Sequence, residues 1–166
     1  MFRGFAIRDA TILLSTVGLW WLSRSVGPGS TFHAVLSISA GVGATICAFN
    51  LHEWAHLIGA RLTRSVYTPA KRLISPFLFS YDADHNTRRQ FLIMSLAGFA
   101  ATAAFVTVYW TWMPQDQQAG RIALRGALIL AGLTVIFEFP IFFRALLGST
   151  VPRTGMFKGP TVGGGD

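Results

Sequence analysis

The sequence predicts an all-α membrane protein with about four transmembrane helices, and three observations support this fold class. Hydrophobic residues make up 52% of the 166 residues and charged residues only 13%, a balance typical of membrane proteins. Four long apolar runs are separated by polar stretches. Tryptophan and arginine residues gather at the ends of these runs, as expected at membrane interfaces. The net charge of +7 therefore indicates anchoring in a lipid bilayer and does not predict nucleic-acid binding.

The first predicted span is short, and Arg3 and Arg8 precede it, a pattern that secretory signal peptides share. No small-x-small cleavage site clearly follows, so a retained helix is the preferred interpretation. The second run is longer than the roughly 20 residues that cross the hydrocarbon, so its last turns are expected to protrude or tilt. The predicted spans are residues 10–24, 32–62, 91–113 and 122–147, within a single membrane domain of residues 1–148.

Four spans place both termini on the same side of the membrane, and the arginine distribution decides which side that is. Arginine residues collect near the N-terminus, in the loop between the second and third spans, and after the fourth span. Both termini are therefore expected in the cytoplasm. A compact chain of this kind suits a prokaryotic inner membrane. Residues 149–166 are rich in glycine, proline and polar residues and predict a disordered cytoplasmic tail.

The motif that predicts chemistry is His52-Glu53-Trp54-Ala55-His56, in the second half of the second span. On a helix, His52 and His56 project from one face, at the spacing with which two imidazoles share one zinc ion. Glu53 is then expected beside the open position of the metal, where a carboxylate takes a proton from water. Ionisable groups in an apolar run are costly and usually functional, so a Zn²⁺ site with Glu53 as catalytic base is predicted. A buried polar cluster without metal is the alternative.

Catalytic zinc normally has three protein ligands, so the two histidines need a third partner. Glu138 is the preferred candidate, because Glu53 and Glu138 are the only glutamates and both fall in apolar spans. Glu138 and His56 each precede an arginine by a similar distance on helices expected to run in the same direction, which puts them at similar depths. Pro140 loosens the helix beside Glu138. A protonated Glu138 bonded between helices is the alternative, and the runner-up ligands are Asp82, Asp84 and His85.

The polar loop between the second and third spans contains an apolar segment, Leu73–Phe79, that is too short to cross a membrane. This segment predicts either a short re-entrant or β segment beside the site or a loop on the membrane surface. An exposed strand edge there can pair with an extended substrate. Ser75, Pro76 and Phe77 are therefore the candidate substrate-binding residues.

Residues 52–61, HEWAHLIGAR, resemble the H-E-x-x-H helix of the site-2 protease family of intramembrane zinc metalloproteases, which often continues through small residues to an arginine. Residues 96–102, LAGFAAT, resemble the pattern A-G-P-x-x-N of the family's second core helix. Phe99 and Thr102 stand where proline and asparagine are usual. The resemblance covers roughly residues 32–148.

The third core helix of that family typically supplies an aspartate ligand in the pattern P-x-x-x-x-D-G. Pro140 is present here, but Ala145 and Leu146 occupy the aspartate and glycine positions. Either Glu138 replaces that ligand or the zinc site is incomplete.

The resemblance implies hydrolysis of a peptide bond in or near a transmembrane segment of a membrane protein substrate. Zinc held by His52, His56 and Glu138 is then expected to activate water, and Glu53 to pass its proton to the leaving amine. The expected partners are this substrate and the lipid bilayer. Small residues such as Gly98 serve either internal packing or contact within a homo-oligomer, as does Thr102.

Three other functions compete with an active protease. An inactive member of the same fold that binds membrane helices is favoured by the changed aspartate and asparagine positions, whereas the retained Glu53 favours activity. A proton-coupled transporter is expected to use Glu53 and Glu138 as a relay. A di-iron desaturase or hydroxylase needs many histidines, and the chain has four.

Overall fold

The structure, a computed structural model, describes residues 2–148, and the predicted tail at 149–166 lies outside the described residues. The described chain is mostly helical, and four of its helical segments are long and apolar enough to cross a membrane. The prediction of a mainly helical chain with four such segments is confirmed. These segments are α1 (Arg3–Ser25), α2 (Thr31–Leu62), α3 (Arg88–Trp112) and a fourth span made of α4 (Gln118–Leu133), a π-helical turn (Thr134–Glu138) and α5 (Phe139–Leu147).

Helices α1 and α3 begin earlier than the apolar runs that predict them, and their charged or polar first residues have partners. In α1, Arg8 and Asp9 form an ion pair of 2.7 Å, so these charges do not end the helix. In α3, Thr87 and Gln90 form a capping box in which each side chain bonds to the backbone amide of the other. Helix starts of this kind depend on local hydrogen bonds and not on hydrophobicity.

Helix α2 lies at the centre of the bundle and packs against α1, α3 and α4. Small residues permit the close approach: Gly59 lies against the backbone of α3 at Met94, and Gly41 lies against α4. Gly98 and Thr102 of α3 also face α2, in agreement with the internal-packing interpretation of these two residues. The residues of the predicted metal motif therefore lie on the most enclosed helix.

Between α2 and α3 the chain forms an antiparallel hairpin of two strands, β1 (Tyr67–Pro69) and β2 (Phe79–Tyr81). Residues 70–78, which we call the cavity loop, connect the strands by turns and bends. The predicted β segment at Leu73–Phe79 was thus placed too early, because the strand begins only at Phe79. Pro76 has no amide hydrogen to donate to a strand ladder, which accounts for the shift.

The hairpin is fixed to the helices by buried side chains. Tyr81 packs in a buried cluster with Phe91, and burial raises the pKa of Tyr81 to about 12, so its phenol stays neutral at physiological pH. Leu78, at the end of the cavity loop, has no exposed surface and packs against Phe5 and Leu57. The cavity loop is consequently held beside the second half of α2.

Candidate metal centre

The three ionisable residues of the His-Glu motif lie within α2, and both histidines contact α3 and the fourth span. His52 and Glu53 are 5% and 7% exposed, and His56 is partly buried. The rings of His52 and His56 are nearly perpendicular, with their centroids 4.4 Å apart. Both imidazoles therefore point into the same small space, as the i, i+4 spacing predicts.

Glu138 of the fourth span completes a compact group with the two histidines. Nε2 of His52 lies 3.1 Å from one carboxylate oxygen of Glu138, and Nε2 of His56 lies 3.3 Å from the other. The two Nε2 atoms are 2.9 Å apart. Zn–N and Zn–O bonds of about 2.0–2.2 Å put tetrahedral ligand atoms roughly 3.3 Å apart, so this group could hold a metal ion with only small adjustments.

Hydrogen bonds on the far side of each ring define which nitrogen carries the proton. Nδ1 of His56 donates to the carbonyl oxygen of Met94 at 3.0 Å. Nδ1 of His52 donates to the carbonyl oxygen of Gly98 at 3.2 Å and to the hydroxyl oxygen of Thr102 at 2.8 Å. Because a carbonyl oxygen only accepts, a neutral ring in this setting leaves its Nε2 as a lone pair facing the group.

The group that faces inward consists only of hydrogen-bond acceptors when both rings are neutral. Two Nε2 lone pairs and a carboxylate repel one another at these distances unless a cation lies among them. Either a metal ion or a proton on one of the rings satisfies this requirement. Two imidazoles and a carboxylate are common ligands of zinc, whereas magnesium and calcium prefer oxygen ligands alone.

The backbone around Glu138 departs from a regular α-helix. Residues Thr134–Glu138 form a π-helical turn, in which the amide of Phe139 donates to the carbonyl oxygen of Thr134. Pro140 lies two residues after this turn and cannot donate a backbone hydrogen bond, which agrees with the local loosening that the sequence predicts there. Wide turns of this kind are frequent at functional sites, because they rotate a side chain out of its regular position.

Glu53 lies in the same cavity as the side chains of His52, His56 and Glu138. This cavity has a volume of about 220 Å³ and a mostly apolar lining that includes His52, His56 and Glu138. The backbone of Leu78 hydrogen-bonds to the Glu53 carboxylate, so the cavity loop contacts this residue directly. The cavity therefore combines a potential metal group, a nearby carboxylate and room for a small part of a substrate.

The runner-up ligands of the polar loop are not part of this group. Asp82 accepts a hydrogen bond of 2.9 Å from Nδ1 of His85, and both residues lie outside the cavity lining. Desolvation raises the pKa of Asp82, but hydrogen bonds from the ring of His85 and from the backbone amides of His85 and Asp84 outweigh it and lower this pKa overall. Asp84 is exposed and likewise lies outside the cavity lining.

Of the three predicted substrate-binding residues, one lines the cavity and two do not. Phe77 lines the cavity, together with Phe79 and Ser80 of β2. Ser75 and Pro76 are not part of the lining, and the hydroxyl of Ser75 instead donates to the carbonyl oxygen of Phe77 at 2.8 Å. This bond stabilises the turn that carries Phe77.

Sequence reasoning missed two residues that orient the histidines. Thr102 receives the Nδ1 hydrogen of His52, and its place at the asparagine position of the A-G-P-x-x-N pattern was the available signal. Gly98 leaves space for the ring of His56, because an added Cβ at this position would overlap the imidazole. Gly98 is thus in direct contact with a candidate ligand.

The chain matches no protein-family model, no curated protein and no solved structure. The fold and the site nevertheless define a class: a helical protein with four segments able to cross a membrane and a partly buried group of two histidines and one glutamate that could hold a metal ion. Function is therefore inferred from the geometry of the chain's own residues.

Proposed function

We propose that this chain is a zinc-dependent intramembrane endopeptidase, which hydrolyses a peptide bond in or near a transmembrane segment of a membrane protein. The observation that carries this proposal is the single cavity shared by Glu53 and the group of His52, His56 and Glu138. Two histidines and a glutamate are a recurring ligand set of catalytic zinc and leave a fourth position for water. The resemblance of the motif to site-2 proteases supports the same assignment.

Glu53 is the proposed general base. His52, His56 and Glu138 would hold the zinc ion, which would supply a Lewis acid and lower the pKa of a water molecule. Glu53 would take a proton from the water as its oxygen bonds to the scissile carbonyl carbon, and would pass that proton to the leaving amine as the C–N bond breaks. The apolar walls around Glu53 keep bulk water away, which strengthens electrostatic interactions inside the cavity.

The substrate has to present an extended backbone, because an α-helix hides its peptide bonds within its own hydrogen bonds. Strand β2 lines the cavity with Phe79, Ser80 and Tyr81, and within the described chain it pairs only with β1. The proposal places an extended substrate segment along this strand, where backbone hydrogen bonds can hold it. Phe77 then contributes an apolar contact for a substrate side chain.

The proposed setting is a prokaryotic inner membrane with both termini in the cytoplasm. Arg88 at the start of α3 donates hydrogen bonds to the carbonyl oxygens of Leu146 and Gly148 at the end of α5. These two ends therefore lie together with the arginine-rich hairpin region. Positively charged loops favour the cytoplasmic side, which makes this the side from which water reaches the site.

Cleavage of a single-span substrate in proteoliposomes tests the proposal. The zinc-loaded wild type is expected to release two fragments, and Glu53→Gln should bind zinc normally yet lose roughly 10²–10⁴-fold in rate, the usual contribution of a general base. Asp84→Asn, which neutralises an exposed carboxylate outside the cavity, is the matched control and should cleave normally. Wild-type cleavage rates in Glu53→Gln contradict the role of Glu53.

A proton-coupled transporter is the second candidate, favoured by one specific observation. The acceptor-only group of His52, His56 and Glu138 is satisfied by a proton as well as by a metal ion. A transporter is expected to contain no stoichiometric zinc and to lose proton flux in liposomes when Glu138 is changed to Gln. Zinc-dependent proteolysis by the wild type excludes this alternative as the main activity.

A further inference from the structure

A junction of polar side chains joins α1 to the metal-site helix, on a side of α2 away from the metal group. Asp9 of α1 accepts hydrogen bonds from Nδ2 of Asn50 at 3.0 Å and from Nε1 of Trp54 at 2.7 Å. Asn50 and Trp54 flank His52 and Glu53 along α2. The carboxylate of Asp9 is mostly buried, with 12% of its side-chain surface exposed, and it also accepts a 2.7 Å bond from Nε of Arg8.

Arg8 extends this junction to the cavity loop. While its Nε bonds to Asp9, its NH1 group donates to the carbonyl oxygen of Leu73 at 2.6 Å and to that of Ser75 at 2.7 Å. The guanidinium also lies over the ring of Phe5, 5.0 Å from the ring centroid. One cation thus holds two backbone carbonyls of a segment that lacks regular secondary structure.

The held segment forms a wall of the metal cavity. Phe77, two residues beyond Ser75, lines the cavity and contacts the ring of Phe49 edge-on, with the centroids 6.4 Å apart. Leu78, the next residue, is fully buried, and its backbone bonds to Glu53. The cavity loop is therefore fixed at two places, by Arg8 on its outer side and by Leu78 on its inner side.

We propose that Arg8 and Asp9 form a latch that holds the cavity loop closed over the metal cavity, so that a substrate segment gains access when the two Arg8–carbonyl bonds break. Asp9 orients the guanidinium and ties it to α2. The substrate part of this inference rests on the proposed protease function. The latch itself concerns only the position of the cavity loop, so it is tested without any substrate.

Hydrogen–deuterium exchange of purified protein, measured on peptides that cover residues 70–78, tests the latch. Arg8→Gln removes the positive charge and the guanidinium donors that hold the loop. Amide exchange of residues 70–78 should therefore accelerate about tenfold or more, the equivalent of one charged hydrogen bond. Arg3→Gln is the matched control, because Arg3 is an exposed arginine of the same helix, and it should leave exchange unchanged. Arg8→Lys keeps the positive charge but lacks the planar guanidinium that reaches both carbonyl oxygens, so it should give an intermediate exchange rate.

Four outcomes are informative. Faster exchange confined to residues 70–78 in Arg8→Gln, with unchanged zinc content, supports the latch. Unchanged loop exchange in Arg8→Gln overturns it, as does faster exchange spread over α2 as well, since that result makes Arg8 a general packing contact. If the loop loosens as expected but the wild type cleaves no substrate, the protease function fails while the latch stands.

Discussion

The Nε2 atoms of His52 and His56 lie 2.9 Å apart, although the Nδ1 atom of each ring already donates its hydrogen to a carbonyl oxygen. Neutral imidazoles in this arrangement present two lone pairs to the same point, and the carboxylate of Glu138 presents further acceptors to it. A shared cation is the simplest means of stabilising the group.

Thr102→Val tests whether the hydroxyl that receives the His52 hydrogen orients this ligand. Valine keeps the β-branched shape but offers no acceptor, so zinc affinity should fall roughly 10–100-fold, as is typical when a partner of a metal-bound histidine is lost. Competition with a chelator of known affinity measures the change. Thr107→Val is the control, because the hydroxyl of Thr107 bonds only within α3, to the carbonyl oxygen of Ala103. Equal zinc affinities in the two variants contradict the orienting role of Thr102.

Gly98→Ala tests the close contact between α3 and the ring of His56. An added methyl group overlaps the imidazole, so the ring must rotate away and the bound zinc per chain should fall well below that of the wild type. Gly18→Ala is the control, since an added Cβ there meets no atom within 4 Å. The control should keep its zinc and gain about 0.5–1 kcal/mol in free energy of unfolding from the lower entropy of the unfolded chain. Full zinc content in Gly98→Ala shows that His56 does not need its present position.

Asp82→Asn and His85→Ala test the exclusion of the polar loop from the metal group. Asp82 and His85 bond to each other at 2.9 Å and lie outside the cavity lining, so each variant should retain wild-type zinc content. Metal analysis of detergent-purified protein, with His52→Ala as the zinc-free reference, provides the measurement. Loss of zinc in either loop variant assigns the third ligand to this loop and removes it from Glu138.

The sequence was sufficient to predict the four helical segments and the three residues that meet in the cavity. Long apolar runs indicate spans by length alone, and two glutamates inside such runs are rare enough to be singled out. The similar depth of His56 and Glu138 followed from their distances to the arginines that close their helices. Contact between them required only that two helices lie side by side.

Other features could not be predicted, because they depend on rotation and on local hydrogen bonds. The π-helical turn Thr134–Glu138 sets the direction of the Glu138 side chain, and Pro140 indicates a loosened helix without specifying its form. The sequence indicated only that Arg8 precedes the first span, since hydrophobicity does not show that Arg8 and Asp9 have partners on α2 and in the cavity loop. The strand at Phe79–Tyr81 is too short to be distinguished by alternation.

Zinc content per chain in detergent-purified protein, compared between the wild type and Glu138→Gln, tests the central claim most directly. The three-ligand centre predicts about one zinc ion per chain in the wild type, and much less in Glu138→Gln at the same free zinc concentration, because a neutral amide is a poor substitute for a carboxylate ligand. A wild type that holds no zinc under metal-replete conditions contradicts the metalloprotease. Equal zinc in both proteins shows instead that Glu138 is not a ligand.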